Sequence, residues 1–111
     1  MFARKVYLHL KPHTAAEFTQ RVEKEVLPLL RKQKGFQDEI TFVAPSGTEA
    51  FAISLWENRD SAEAYSRGSY AEVTKILGRV IEGTPQVESY EVANSTFHKI
   101  GAHEITAAAT V

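Results

Sequence analysis

A chain of 111 residues is enough for one domain with a real core, since about two-thirds of the surface can be buried at this size. Thirteen basic and fourteen acidic residues leave a formal charge of −1, so no basic excess points to nucleic acid, and the lack of cysteine excludes disulfides, thiolate metal sites and cysteine nucleophiles. No apolar run approaches the ~20 residues of a membrane span, and "MFARKVYLHL" lacks the long apolar region of a signal peptide, so a soluble cytoplasmic domain without a membrane partner is expected.

The first predicted strand is Ala3 to Lys11, where Val6, Leu8 and Leu10 alternate with Lys5, Tyr7 and His9. Pro12 and His13 end it. Thr14 to Glu17 reads as a capping box, and Phe18, Val22, Val26, Leu29 and Leu30 follow at helical spacing to about Gln33. Pro28 lies inside this helix and is expected to loosen its last turns; Gly35 is placed to cap the end. Phe36–Val43 and Glu49–Glu57 read as strands joined by the turn-forming Ala44 to Thr48, an antiparallel hairpin. Asp60 to Glu63 and Ser69 to Glu72 read as two further capping boxes separated by Arg67-Gly68. The second helix is therefore expected in two pieces, from Ser61 and on to about Glu82. Gly83 and Pro85 stop it, and a last strand is expected from Gln86 to about His98. Residues 1–98 form the expected domain, and 99–111 a weakly patterned tail.

Strand, helix, strand, strand, helix, strand is the order of an α+β fold: a ferredoxin-like βαββαβ sandwich, a four-stranded antiparallel sheet with two helices on one face. One alternating set (Val6, Leu8, Leu10, Ile40, Phe42, Phe51, Ile53, Leu55, Tyr90, Val92) is expected to meet the helices. The other set includes Tyr7, His9, Glu39, Thr41, Ala52, Ser54, Trp56, Ser89 and Glu91. It suits a partner sheet enclosing a partly wet space. A final strand of ~13 residues would span ~43 Å, longer than such a domain needs, so its end is expected to cross to a second copy of the chain. A homodimer follows, with two sheets forming a dimeric α+β barrel.

"VLPLLRKQKGFQ" carries a helix end through Gly-Phe into a strand, and "ISLWENRDSAEAY" ends a strand in Trp-Glu before a helix. With these two markers in this element order, the chain from about Val6 to Phe97 resembles the dimeric α+β barrel superfamily. Within it, the resemblance is to the antibiotic-biosynthesis-monooxygenase-like domains. That group includes cofactor-independent oxygenases acting on aromatic polyketides, haem-degrading enzymes, quinol oxygenases and members without an assigned role. The resemblance implies a monooxygenase-like protein with no bound cofactor, acting on a small aromatic or quinone-like substrate. The haem-degrading pattern does not carry over: its positions fall near Val6, Tyr65 and Lys75, and none matches. The aromatic-oxygenase pattern finds Trp56, but Ala52 stands where its Asn would be.

Candidate site residues follow from chemistry. Trp56, at the junction of a strand and a helix, can wall a ligand pocket or simply pack. Tyr65, with Tyr70 nearby, could reach a cleft opened at Gly68, and Tyr7 shares a face with His9. His9 is the candidate acid–base group, with an interface histidine as its alternative. Glu39 and Glu91, on one predicted face, could act as paired carboxylates or could equally be held by Lys5 or by a partner chain. The spacing of His9, His13, His98 and His103 gives no metal pattern, so no metal is expected. Two functions stay open: a small cofactor-independent enzyme, or a non-catalytic dimeric module that binds a small ligand or is structural.

Overall fold

The structure, a computed structural model, describes residues 1–97. The remaining residues, with the expected tail, His98 and His103, lie outside the described residues. The elements in chain order are β1 (Phe2–Leu10), α1 (Ala15–Arg21), a π-helical turn (Val22–Val26), α2 (Leu27–Arg31), β2 (Phe36–Val43), β3 (Glu49–Trp56), α3 (Arg59–Arg67), α4 (Tyr70–Leu77) and β4 (Ile81–Glu91). All strand pairs are antiparallel, and the sheet order is β2-β3-β1-β4. The expected α+β sandwich is the fold observed.

Pro28 explains the interrupted first helix. It has no amide hydrogen, and its ring collides with the carbonyl four residues earlier in a regular α-helix. The chain answers with the wider π turn just before it, in which the Leu27 amide bonds the Val22 carbonyl, and Pro28 then sits at the start of α2. Val22 and Val26 are both buried by this turn.

The capping expectations are corrected. Thr14 makes no side-chain cap; its hydroxyl donates instead to the carbonyls of Lys11 (2.6 Å) and Val80 (3.2 Å), tying the end of β1 to the start of β4. The cap of α3 is Asn58, whose Oδ1 accepts the Ser61 amide at 2.9 Å, and α3 starts earlier than expected. Ser69 makes no side-chain cap either, although the helix does break at Gly68.

The last strand is also corrected. It begins at Ile81, not Gln86, because Gly83-Thr84-Pro85 does not stop the chain but bulges within the strand. The register with β1 shifts between Tyr7 (opposite Gln86) and His9 (opposite Glu82). Gly83 takes the left-handed backbone (φ +69°) such a bulge uses, and β4 is an edge strand, where the missing Pro85 amide leaves no ladder bond broken. The strand ends at Glu91, so the length argument for a chain-crossing end no longer stands.

The two sheet faces are exchanged on β2, β3 and β4. The register sets Phe2 opposite Trp56, Arg4 opposite Ser54, Val6 opposite Ala52 and Leu8 opposite Ala50. Residues directly opposite share a face, so Ala50, Ala52, Ser54 and Trp56 face the helices along with Val6, Leu8 and Leu10. Ile40, Phe42, Phe51, Ile53, Leu55 and Tyr90 then lie on the open face with Tyr7 and His9. On β3 the small Ala50, Ala52 and Ser54 lie under the helices, with Trp56 at the strand's end, while Phe51, Ile53 and Leu55 face away. The core joins Leu8, Leu10 and Trp56 from the sheet to Phe18, Val22, Val26 and Leu30 and to Ala62, Tyr65, Val73 and Leu77.

Candidate functional site

A cavity of about 50 Å³ lies between the sheet and the helices. Its apolar wall comes from Val6 and Leu8 below and Phe18, Val22, Val26 and Leu77 above. Its polar end comes from Arg4, Glu39, Thr41, Ser54, Tyr65 and Tyr70. The polar end follows from strand register. Glu39 on β2 stands opposite Ser54 on β3, and Ser54 opposite Arg4 on β1, so the three form one rung of the sheet under the helices.

Arg4 is the unusual member. It is 4% exposed, and among the described residues no carboxylate pairs with it. Its guanidinium lies 4.1 Å from the Tyr70 ring centre and 5.3 Å from that of Tyr65, and Nη2 donates to the Ser66 hydroxyl at 3.3 Å. Cation–π contact offsets part of the cost of burying a charge but leaves donors of the guanidinium available. Tyr65 is 4% exposed, and burial pushes its phenol far above the usual value, with Arg4 opposing that shift. The Glu39 carboxyl is raised by burial too, against a hydrogen bond from the Thr41 hydroxyl that lowers it.

Trp56 lies behind this wall. Fully buried, it stacks on Tyr65 (ring centres 4.9 Å apart), meets Phe36 edge-on at 5.5 Å, and donates from Nε1 to the Ser54 hydroxyl at 2.9 Å. It touches the cavity's residues without lining the cavity. Of the residues singled out in the sequence, Trp56 and Tyr65 are therefore brought together; Tyr7 and His9 are not with them. Those two meet edge-to-face at 5.2 Å on the opposite side of the sheet, where the Tyr7 hydroxyl bonds Glu49, which raises the Tyr7 phenol. Glu39 and Glu91 belong to β2 and β4, the two outer strands, and do not form a pair; Lys5 lies over the Phe51 ring and holds neither. Among the described residues no group of His, Asp or Glu is clustered to hold a metal ion.

Sequence reading missed Arg4, and the signal was there. Stepping back by twos from Leu10, Leu8 and Val6 reaches Arg4 and then Phe2, so the period of the strand itself places a charge on the buried face. Tyr70 was noted only as a neighbour of Tyr65; the two rings meet at 5.9 Å across the Gly68 break.

No family model matches the chain, and no curated protein does. Among solved structures, the fold is similar to a monooxygenase from the ActVA-Orf6 gene of Streptomyces coelicolor, in complex with nanaomycin D. The TM-score is 0.71 at 17% identity, covering 85% of this chain and 88% of that one. It is similar to SnoaB, a cofactor-independent oxygenase from Streptomyces nogalater, with a TM-score of 0.68 at 12% identity over 86% of this chain and 95% of that one. A protein of unknown function from Nitrosomonas europaea gives a TM-score of 0.71 at 17% identity, over 86% and 91% of the two chains. The fold is the one shared by structures of the antibiotic biosynthesis monooxygenase group and by a protein of unknown function.

Proposed function

We propose that the protein binds a small phenolic or quinone-like aromatic molecule in the cavity between sheet and helices and oxidises it with dioxygen, using no bound cofactor. The observation that carries this reading is Arg4: a buried guanidinium without an acid partner, facing an apolar cavity beside two tyrosines. Such a group is costly to keep unless something anionic uses it. A phenolate answers that need, with its charge on Arg4 and its ring among Val22, Val26 and Phe18. In the overall reaction a phenol with a free para C–H and one dioxygen give a quinone and water. One oxygen atom becomes the new carbonyl and the other leaves as water. The protein's part is to hold the electron-rich phenolate form in a dry site, where electrostatic contacts are strong.

The ligand-free volume has room for one or two waters, so a ring must displace the helices over it. The break between α3 and α4 at Gly68 and the π turn supply two places for that movement. The same small volume favours a second reading, a non-catalytic module whose interior is filled by its own side chains. An oxygen electrode with a simple naphthol, and no added cofactor, separates the two. The proposed enzyme consumes dioxygen saturably, equimolar with quinone formed. Arg4→Met keeps the unbranched stem but removes the charge, so it should abolish uptake while the melting temperature holds or rises. Saturable binding without oxygen uptake supports the non-catalytic module. Full activity in Arg4→Met would sink the role given to the guanidinium.

A further inference from the structure

We infer that Glu39 is the proton acceptor of this cavity, so that the site takes a neutral phenol and holds it as phenolate between Arg4 and the protonated carboxyl. The inference rests on the proposed phenol-binding reading and names the group that reading leaves out. Glu39, Ser54 and Arg4 occupy one rung, so a carboxylate and a guanidinium stand two strands apart with a hydroxyl between them. No ion pair joins them among the described residues, and the Ser54 hydroxyl is already engaged by Trp56 and the Arg4 carbonyl. Cation and carboxylate thus flank a gap instead of neutralising each other, and both line the cavity.

Glu39 is also placed to pass a proton onward. It lines the inner cavity, a hollow beside Leu27, Arg31 and Phe36, and a groove on the open face beside Ile40 and Phe42. A base that touches both the ligand space and the outside can be recharged by solvent without opening the cavity. Burial raises its carboxyl, which brings a carboxylate closer to the proton affinity of a phenol; the Thr41 hydroxyl, hydrogen-bonded to Oε2, keeps that rise in check. The other charged and titratable groups on the hollows it lines are Arg4, Tyr65, Tyr70, Arg31 and Asp38. In the step itself the phenol O–H bond breaks, the proton goes to a Glu39 carboxylate oxygen, and the electron pair stays on the phenol oxygen beside Arg4. No oxidant or reductant takes part.

Para-nitrophenol tests this, because only its phenolate is coloured. In the wild type the bound reporter should be coloured below the pH at which it ionises in water. Its affinity should be flat between the Glu39 and phenol pKa values, since no net proton is exchanged there. Glu39→Gln must take its phenolate from solution, so its affinity should fall about tenfold for each unit by which the pH is lowered across that window. Thr41→Val removes the contact that lowers the Glu39 pKa, so the acidic edge of the wild-type plateau should move to higher pH. That shift serves as the test should Glu39→Gln fail to fold by circular dichroism. A Glu39→Gln variant with the wild-type plateau and colour, or an unmoved edge in Thr41→Val, overturns the inference while leaving the binding site standing. Absence of any reporter binding to the wild type overturns the phenol site and this inference together.

Discussion

Trp56 and Arg4 show how one strand pair separates packing from chemistry. They stand on the same face of adjacent strands, a rung apart in register, yet one is enclosed on every side and the other borders open volume. Trp56 was legible in the sequence as a wall, but what it faces was not, since a strand-end aromatic gives no sign of which ring will cover it. The structure covers it with Tyr65 and Phe36. Substitution should accordingly act through stability. Trp56→Phe loses the Ser54 hydrogen bond and part of two aromatic contacts and should cost about 2 kcal/mol in denaturant unfolding; Trp56→Ala should cost about 3–5 kcal/mol. Ligand affinity in the folded fraction of Trp56→Phe should change little. Wild-type stability in that variant, with binding lost, would put the indole in the site after all. Arg4 was missed for a different reason: the buried stripe was read from its apolar members, and a charged residue at the same period did not look like a core residue.

The elements were legible where local chemistry decides them. The hairpin follows from its turn residues, the break at Gly68 from the interrupted helical pattern, and the loosened first helix from Pro28. Faces and boundaries were less so. On β3, "EAFAISLW", both alternating sets are apolar, so hydrophobicity could not choose the side that meets the helices. Size would have chosen better: Ala50, Ala52 and Ser54 let helices approach, whereas Phe51, Ile53 and Leu55 would hold them off. Gly83 and Pro85 looked like stops because a tolerated bulge on an edge strand uses the same residues. Gly35 is a firmer case, since two elements meet over it. Its φ of +80° is left-handed, and an added Cβ would stand 2.2 Å from the Ser61 Oγ at the start of α3. Its carbonyl also accepts the Glu57 amide at 2.7 Å, so the backbone cannot simply withdraw. Gly35→Ala should therefore cost more than the ~1 kcal/mol of a free left-handed alanine, on the order of 2–3 kcal/mol by thermal unfolding. A loss below ~0.5 kcal/mol would mean that the α2–β2 turn and α3 move apart easily.

At the scale of the whole molecule, the exchange of sheet faces strengthens the case for a second copy of the chain. The face away from the helices carries Ile40, Phe42 and Tyr90, exposed by 50%, 41% and 49%, beside the partly buried Phe51, Ile53 and Leu55. Phe42 and Phe51 stack with ring centres 4.6 Å apart across β2 and β3, which makes a firm apolar centre for that face. Scattered exposed apolar residues need no explanation, but a set repeated across the strands of one sheet face does. A two-fold pairing of these faces would bury the same patch on both chains. It would also cover the groove that Glu39 shares with Ile40 and Phe42, leaving the hollow beside Leu27, Arg31 and Phe36 as the side on which Glu39 meets solvent. Light scattering at micromolar concentration should therefore give about twice the chain mass. Phe42→Glu puts an unpaired carboxylate from each chain into a drying interface, so it should shift the protein to monomer while far-ultraviolet circular dichroism keeps its shape. A wild-type monomer would leave the open face without its proposed partner. A dimer that survives Phe42→Glu unchanged would show that the chains associate through another surface.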